Sequence, residues 1–503
     1  MASDNKNAVF HLAFDVGTTA MKCILFDNDF NEVKKCAREY SLIYTANTAE
    51  LDAEVYYSTF CECTREIING GIQPQSIKDV TFTTQGETFV CVDKSGTPLQ
   101  RAIVWLDARA EKEADYIIKK FGKKEFYSVT GLWQPDGALP LAKLMHIKKH
   151  LPEIYDKTYK FLLLEDYLIM KLTGKFVTEK SLVSSTGWYD IINDEYCTQL
   201  FKLCDIDKSK FPDVLNCGTI VSDVKNTECG LTDKCAVVTG AMDQICSAIG
   251  AGNVYDGCVT ETTGTALVVG ATVTRPDFDV NTPVTIYKHF NENYIYMPYC
   301  NTAGIVLKWF KDTLGAKICY DAEKLGIPSY KMIDKYAVKS PAGSNGLIML
   351  AHFSGKNFPD SVPNAKGVFF GISLSTTICD MSRSVLEGVA YMLKETVETL
   401  HQKGMDIKEI KSLGGGSASE LWNKIKASVC NCEIDSNTYS ETTALGAAIL
   451  GAVAYGEYKD VFEAIKKLPA NQKKYLPDSE DAKVYKKYYE KYKELYKNLK
   501  GAF

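Results

Sequence analysis

The sequence predicts an α/β protein built of two large domains, and three observations carry that expectation. The chain has 503 residues, more than one ordinary hydrophobic core accommodates. Its short apolar runs end in bunched polar residues, as strands do at the ligand-collecting edge of open α/β sheets. A Gly/Thr turn leading into an apolar strand occurs twice, at Gly17-Thr18-Thr19 and at Gly264-Thr265, opening successive halves of the chain. One such turn is weak evidence; two point to a duplicated fold with a phosphate loop from each half.

Composition narrows the class. Hydrophobic and charged fractions of 46% and 24% are those of a soluble globular protein. A net charge of −5 exerts no overall pull towards nucleic acid or anionic membranes, so neither is expected as a partner. The 17 cysteines are odd in number and scattered, and Cys23, Cys91, Cys246 and Cys300 lie in apolar runs. That suits reduced, buried thiols better than a disulfide framework. The C-x-C pairs Cys61/Cys63 and Cys430/Cys432 have no His or Cys partners at zinc-site spacing. Met1–Asn7 is polar rather than signal-like, and the longest apolar stretch, Ala444–Tyr455, falls short of the ~20 residues of a membrane span. A cytoplasmic protein is expected.

Taken in order, the first landmark is Phe14–Lys22, FDVGTTAMK, between two apolar runs that read as a hairpin of buried strands. Gly17 lets the backbone approach a bulky ligand. Thr18 and Thr19 offer N–H groups and hydroxyls to phosphate oxygens, and Lys22 adds a positive charge. Asp15 is placed to hold the magnesium that accompanies a nucleotide phosphate. An ordinary hairpin with a polar turn has the same local pattern.

Leu51–Arg65 has helical periodicity and is expected to cover the first sheet. A strand over Val80–Thr84 runs into Gln85-Gly86-Glu87-Thr88. Phe89–Val92 runs into the turn Asp93–Gly96, and Ala102–Leu106 into Asp107-Ala108-Arg109. Three such clusters within so short a span favour a site over plain strand-end caps. Helices are expected at Pro140–Leu151 and Lys160–Leu172, the latter stopped by Thr173-Gly174, with a connecting region over Phe201–Lys234. At Val237–Val254 a strand passes through Gly240 into Asp243 and a small-residue helix, Ile245–Gly250. There Asp243 is either a functional carboxylate or a simple N-cap.

In the second half, Glu261–Thr265 precedes the apolar Ala266–Gly270. Met381–Glu398 is helical, and the glycine run Leu413–Ser417 opens the helix Ala418–Ser428, where a ring or phosphate can lie on bare backbone. Glu441–Gly456 reads as a small-residue helix. Ser479–Leu499 reads as a terminal helix with the stripe Tyr485, Tyr488, Tyr492, Leu495 and Leu499, docked on the second domain.

These landmarks together resemble the FGGY family of carbohydrate kinases, within the actin, hexokinase and chaperone ATPase superfamily. The resemblance runs over essentially the whole chain in family order: FDVGTTAMK, GAMDQ, ETTGT, LGGGSAS and, most specifically, Gly367–Glu387. Ala138–His150 fits its signature less well, since His146 stands where the family usually has tryptophan. The resemblance implies a ribonuclease H-like α/β fold of two domains, residues 1–250 and 251–503, each a five-stranded mixed sheet flanked by helices, with a cleft between. Sugar would lie against the first domain and ATP mostly on the second.

By the same resemblance Asp243 is the catalytic base, and Gln85, Glu87, Trp105, Asp107 and Gln244 meet the sugar. Gly17, Thr18, Thr19, Lys22, Gly264, Thr265, Gly415 and Gly416 face ATP and its phosphates, and Asp15 orders Mg2+. The chain looks most like the xylulokinase branch, which implies ATP-dependent phosphorylation of a ketopentose such as D-xylulose. Another ketose or polyol stands as the alternative, and a regulatory ATPase of the same superfamily as the alternative of a different class. Glycerol kinases carry Arg-Glu where this chain has Gly86-Glu87, which disfavours glycerol; xylulokinases of bacterial type carry Met-His there. Expected partners are a small-molecule sugar and ATP, and a homodimer is left open.

Overall fold

Two mixed β-sheets with the same strand order organise the chain. The computed structural model describes residues 8–133, 135–437, 441–468 and 472–503. In the first half, β1 (Phe10–Val16), β2 (Ala20–Asp27) and β3 (Glu32–Glu39) are followed by α1 (Ala53–Asn69) and β4 (Ile77–Thr84). Further along come α2 (Glu111–Phe121), α3 (Pro140–His150), β5 (Ile220–Asp223), β6 (Ala236–Met242) and α4 (Asp243–Gly250). The second half contains β7 (Val259–Thr263), β8 (Leu267–Val273), β9 (Ile286–Lys288), β10 (Tyr294–Tyr296), α5 (Ile378–Gln402) and β11 (Glu409–Leu413). It ends with α6 (Glu420–Cys430), β12 (Glu433–Asn437), α7 (Thr442–Tyr455), β13 (Gln472–Tyr475) and α8 (Ser479–Leu499).

The first sheet runs β3-β2-β1-β4-β6-β5; the second contains β10-β8-β7-β11-β12-β13. In each, the hairpin and its neighbour are antiparallel, the next two pairings are parallel, and the far edge is antiparallel again. The duplication expected from two Gly/Thr turns is therefore a duplication of topology, with each turn at the tip of the equivalent hairpin. Five strands per sheet were expected; six and eight form. The extra strand of the first sheet is β5, from the stretch read as a connector, which satisfies the free edge of β6. The second is extended by β9 and by Tyr299–Cys300.

Two other local expectations change. Lys160–Leu172 is a strand, Lys160–Leu163, followed by a helix, Leu164–Thr173, because the apolar run pairs antiparallel with Phe89–Val92. An apolar run of that length does not distinguish a buried strand from a buried helix. Only Ala102–Ile103 of the expected Ala102–Leu106 strand is extended in a ladder. In α8 the buried side chains are Tyr485, Tyr489, Tyr492 and Tyr496, while Tyr488, Leu495 and Leu499 pack at the seam edge. The shift has a polar cause: Tyr489 donates to Glu398, Tyr492 to Glu395 and Tyr496 to Asp360.

The small-residue helix α7 belongs to the second half of the chain but packs on β1, β4 and β6 of the first sheet, and most closely on α4. A Cβ on Gly446 would meet the Cys246 carbonyl at 1.9 Å, and one on Gly250 the Thr442 carbonyl at 2.0 Å. Backbone touches backbone there, which only glycine allows. Cys23, Cys91, Cys246 and Cys300 are buried. Among the described residues no helix is long and apolar enough to cross a membrane.

Beneath α7, His11 on β1 and Asp79 on β4 form a fully buried pair, Nδ1 to Oδ2 at 2.5 Å. Burial alone would lower the His11 pKa, but the charge and hydrogen bond of Asp79 outweigh it and raise it above 6.5. A raised histidine pKa stabilises the fold fully below the unfolded-state value and loses that contribution as pH rises through the folded value. Asp79→Asn should therefore lower the urea midpoint most below pH 6.5, with the gap to the unmodified protein narrowing as pH is raised; a pH-independent gap would remove the pair from the account.

Candidate active site

The first hairpin turn is set by Gly17, whose N–H donates to the Ala20 carbonyl at 2.9 Å. Thr18 and Thr19 stand at its tip, and Asp15 and Lys22 face each other across the β1–β2 register, Nζ to Oδ2 4.0 Å. Lys22 is held more closely by Glu441, at 2.8 Å, at the start of α7. Asp15 is half-buried; desolvation raises its pKa against the Lys22 charge, and Glu441 adds to the rise. The turn is tied sideways too: the Trp105 indole N–H donates to Thr18 Oγ1 at 2.9 Å.

Trp105 lines a cavity of about 500 Å3 between the two halves. Glu87, Trp133, Asp136 and Ser185 come from the first half; Tyr287, Met297, Tyr299, Asn357 and Asp360 come from the second. Glu87 has φ of +69°, a strained conformation for a residue with a side chain. Desolvation pushes its carboxyl up to about 7, with the charge of Lys143 opposing and those of Asp136 and Asp243 reinforcing. Gly86 beside it has no room for a side chain without movement: a Cβ would meet Met242 Sδ at 2.9 Å and Ser185 Oγ at 3.3 Å.

Lys143, on α3, is fully buried and donates to the Val104 and Trp105 carbonyls at 3.1 and 3.3 Å. It thus fixes the backbone that presents Trp105. Burial pushes its ammonium down to about 8, against the charges of Glu87 and Asp107.

Asp107 does not reach the cavity wall. It is fully buried, accepts the Ala49 N–H at 2.8 Å, and is held by Arg109 Nε and Nη2 at 2.8 and 2.6 Å. Arg109 in turn pairs with Glu50. With both oxygens occupied, the carboxylate orders the loop after Trp105 rather than meeting a ligand. Gln85 is also buried behind the wall; its amide N–H donates to Tyr56 at 3.3 Å and its Oε1 has no partner.

Asp243 is the first residue of α4 and not its cap, which is Met242. Its Oδ1 accepts only the adjacent Gln244 N–H, at 2.6 Å. Desolvation, with the Asp15 charge adding, pushes Asp243 up to about 7. Gln244 follows it, half-buried.

In the second half, the Gly264-Thr265 turn docks on the start of the helix Gly304–Leu314, whose Ala303 and Gly304 N–H groups donate to Thr265 and Gly264. The glycine run lies over the end of β7: a Cβ on Gly416 would meet that of Thr263 at 2.6 Å, whereas one on Gly415 would meet nothing. Gly415 thus leaves an open face. Beneath both loops, Lys426 on α6 donates to Glu261 at 2.6 Å and to Thr263 at 3.0 Å, all three fully buried or nearly so. This network binds β7 to α6 and brings Gly264, Thr265, Gly415 and Gly416 to one place.

Asp136, Lys143 and Tyr287 join the constellation without having been singled out from the sequence. Lys143 carried a signal, a lone lysine among buried apolar positions of PLAKLMHI. Tyr287 carried none, since its partner surface lies on the other sheet.

A duplicated α/β core with a Gly/Thr turn on each half and an acid-rimmed cavity between them is the arrangement of a two-domain phosphotransferase. Models of the FGGY family of carbohydrate kinases match in both parts, the N-terminal domain over residues 10–250 and the C-terminal domain over residues 258–455, and the chain belongs to that family. It is an ATP-dependent sugar kinase. It is 27% identical over 481 residues to a xylulose kinase of Staphylococcus xylosus, covering 94% of this chain and 97% of that one. It is 27% identical over 484 residues to a gluconokinase of Bacillus subtilis, covering 95% and 93%. The ligand-bound xylulose kinase from Lactobacillus acidophilus shares the fold, with TM-score 0.88 at 24% identity over 97% of this chain and 98% of that one.

The role found for Asp107 is open to test. Asp107→Asn removes one of the two carboxylates that hold the half-buried Arg109, Glu50 remaining, so the variant should lose about 1–3 kcal/mol of stability in urea unfolding. A variant of unchanged stability but altered sugar preference would return Asp107 to the ligand wall.

Proposed function

We propose that the protein transfers the γ-phosphoryl group of ATP to a hydroxyl of a neutral ketopentose, with Asp243 as general base. The observation that carries the substrate class is the charge of the cavity. Glu87 and Asp136 line it, with Asp360 beside them paired to Lys356 and Lys500, and among its described lining residues there is no lysine or arginine. An aldonate such as gluconate brings a carboxylate that this wall would repel, whereas the hydroxyls of an uncharged sugar can donate to it. Gly86 brings no cationic side chain to the wall, and a Cβ there would crowd Met242 and Ser185, which weighs against glycerol.

In this reading Trp105 and Glu87 seat the sugar, with Gln244 and the backing residue Gln85 completing the polar set. Thr18, Thr19 and Lys22 cradle the transferred phosphoryl group. Gly17 and Gly264, whose own N–H groups close their turns on Ala20 and Ala266, let ATP phosphates approach the backbone beside Thr265, and the open face of Gly415, with Gly416, accepts the nucleoside. Asp15 would hold Mg2+. The fit is electrostatic: the Glu441 charge adds to the raised pKa of Asp15, the Asp15 charge adds to that of Asp243, and Lys22 is the cation that faces Asp15 and Glu441. Mg2+ would supply charge neutralisation at the phosphates.

Phosphoryl transfer asks the protein for positioning, charge stabilisation and a proton acceptor. Asp243 suits the last role because its carboxylate is uncommitted apart from Gln244, and because a pKa near 7 gives it affinity for a proton at working pH. A base must be unprotonated, so kcat/KM should fall as pH is lowered through about 7. Asp243→Asn should lose ~10²–10⁴-fold in kcat while keeping its fold. Glu87 also titrates near 7, so Glu87→Gln should retain the acidic limb of the profile. Retention of more than about a tenth of kcat in Asp243→Asn would remove it as the base.

An ADP-release panel of ketopentoses, aldonates, polyols and glycerol tests the substrate class. A pentulose should be preferred over its deoxy analogue and over glycerol, because a site built on hydroxyl hydrogen bonds is left unpaired when one is missing. Gluconate turning over more efficiently than any ketopentose would overturn the charge argument.

A further inference from the structure

We propose that Glu113, His146 and His150 form a binding site for a borderline divalent transition-metal ion of the Zn2+ type, bridging α2 and α3 outside the sugar cavity. His146 and His150 are one turn apart on α3, so both imidazoles leave the same helix face. Glu113, in the first turn of α2, points between them from the facing helix and is almost fully buried. One ligand atom from each residue lies within 4.8 Å of the others.

The spacing fits a metal better than it fits direct pairing. His146 Nδ1 is 3.7 Å from Glu113 Oε2, and His150 Nε2 is 3.9 Å from Oε1. Both are beyond hydrogen-bond reach, and His146 Nδ1 is buried with no partner. A tetrahedral ion with bonds of about 2.0–2.1 Å sets its ligand atoms about 3.3–3.5 Å apart, so side-chain rotation that draws both imidazoles onto the Glu113 carboxylate makes a three-ligand site with a fourth position for water. Two imidazoles and one carboxylate suit Zn2+, Co2+, Ni2+ or Cu2+ rather than Mg2+ or Ca2+.

Two cations compete. Lys149 Nζ reaches Glu113 Oε1 at 3.5 Å, and the charge of Arg109 acts on His146. Lys149 is about two-thirds exposed and can turn out to solvent, whereas Arg109 is engaged by Asp107 and Glu50. A bound ion would fasten α2 to α3, the helix that carries Lys143 three residues before His146.

The test uses the full chain freed of metal by chelation, titrated with Co2+ and Zn2+. The expected result is one Co2+ per chain with visible d–d absorption, displaced by Zn2+, and an upward shift of the thermal midpoint in Zn2+. His150→Ala, at a half-exposed position, and Glu113→Gln should each weaken binding about tenfold or more and abolish the thermal shift, with circular dichroism confirming an unchanged fold. Absence of stoichiometric binding up to millimolar ion, or equal binding in a His146→Gln/His150→Ala double variant, would overturn the site.

Discussion

The contact on which the rest of the molecule depends is that of α4 with α7, where Gly250 and Gly446 bring two helix backbones together. Glycine in a helix interior costs about 1 kcal/mol relative to alanine, so Gly446, inside α7, opposes helix propensity for the sake of approach, while Gly250 closes the last turn of α4. The approach places three functions in register. α4 begins with Asp243; α7 begins beside Glu441, which holds Lys22 of the first turn; and α7 covers the first sheet on β1, β4 and β6. A side chain at either glycine would move the helix that carries Asp243, not merely loosen a core.

Around that contact the electrostatics are deliberately uneven. The cavity rim and the first turn hold more carboxylates than cations, and burial makes each carboxylate costlier to ionise. The balance leaves Glu87 and Asp243 near 7, whereas Asp360, held by Lys500 and Lys356 against its own burial, falls to about 2. Of these acids, Glu87 on the cavity wall and Asp243 at the start of α4 exchange protons near neutrality, while Asp360 on the wall stays charged. Positive charge sits behind the walls: Lys143 on the Val104 and Trp105 carbonyls, Arg109 on Asp107 and Glu50, and Lys356 and Lys500 on Asp360.

The parts legible in the sequence were those written in local chemistry. A hairpin with Gly and Thr at its tip, a strand that ends in a polar cluster, and a glycine run before a helix each announce themselves within ten residues, and all three formed. What depended on distant partners was hidden. Asp107 looked like its neighbours Glu87 and Gln85, but only the fold brings Ala49 and Glu50 to it and to Arg109. Apolar spacing places Tyr488 rather than Tyr489 in the stripe, because it cannot register the hydrogen bond from Tyr489 to Glu398. The strand at Lys160–Leu163 was lost to helix because its partner, Phe89–Val92, lies some seventy residues earlier. The wall of the cavity from the second half, with Tyr287 and Asp360, had no local signature at all.

The exchange of α7 across the two sheets has a consequence for how the chain must be made. A polypeptide ending at Gly250 would hold every strand of the first sheet yet leave Asp79 and Thr81, on which Gly451 sits, facing water. The remainder would carry the helix TTALGAAILGAVAY with no sheet to shield it. The first sheet is therefore the first to be synthesised and among the last to be covered. On the ribosome it waits, one face open, until residue 455 has emerged.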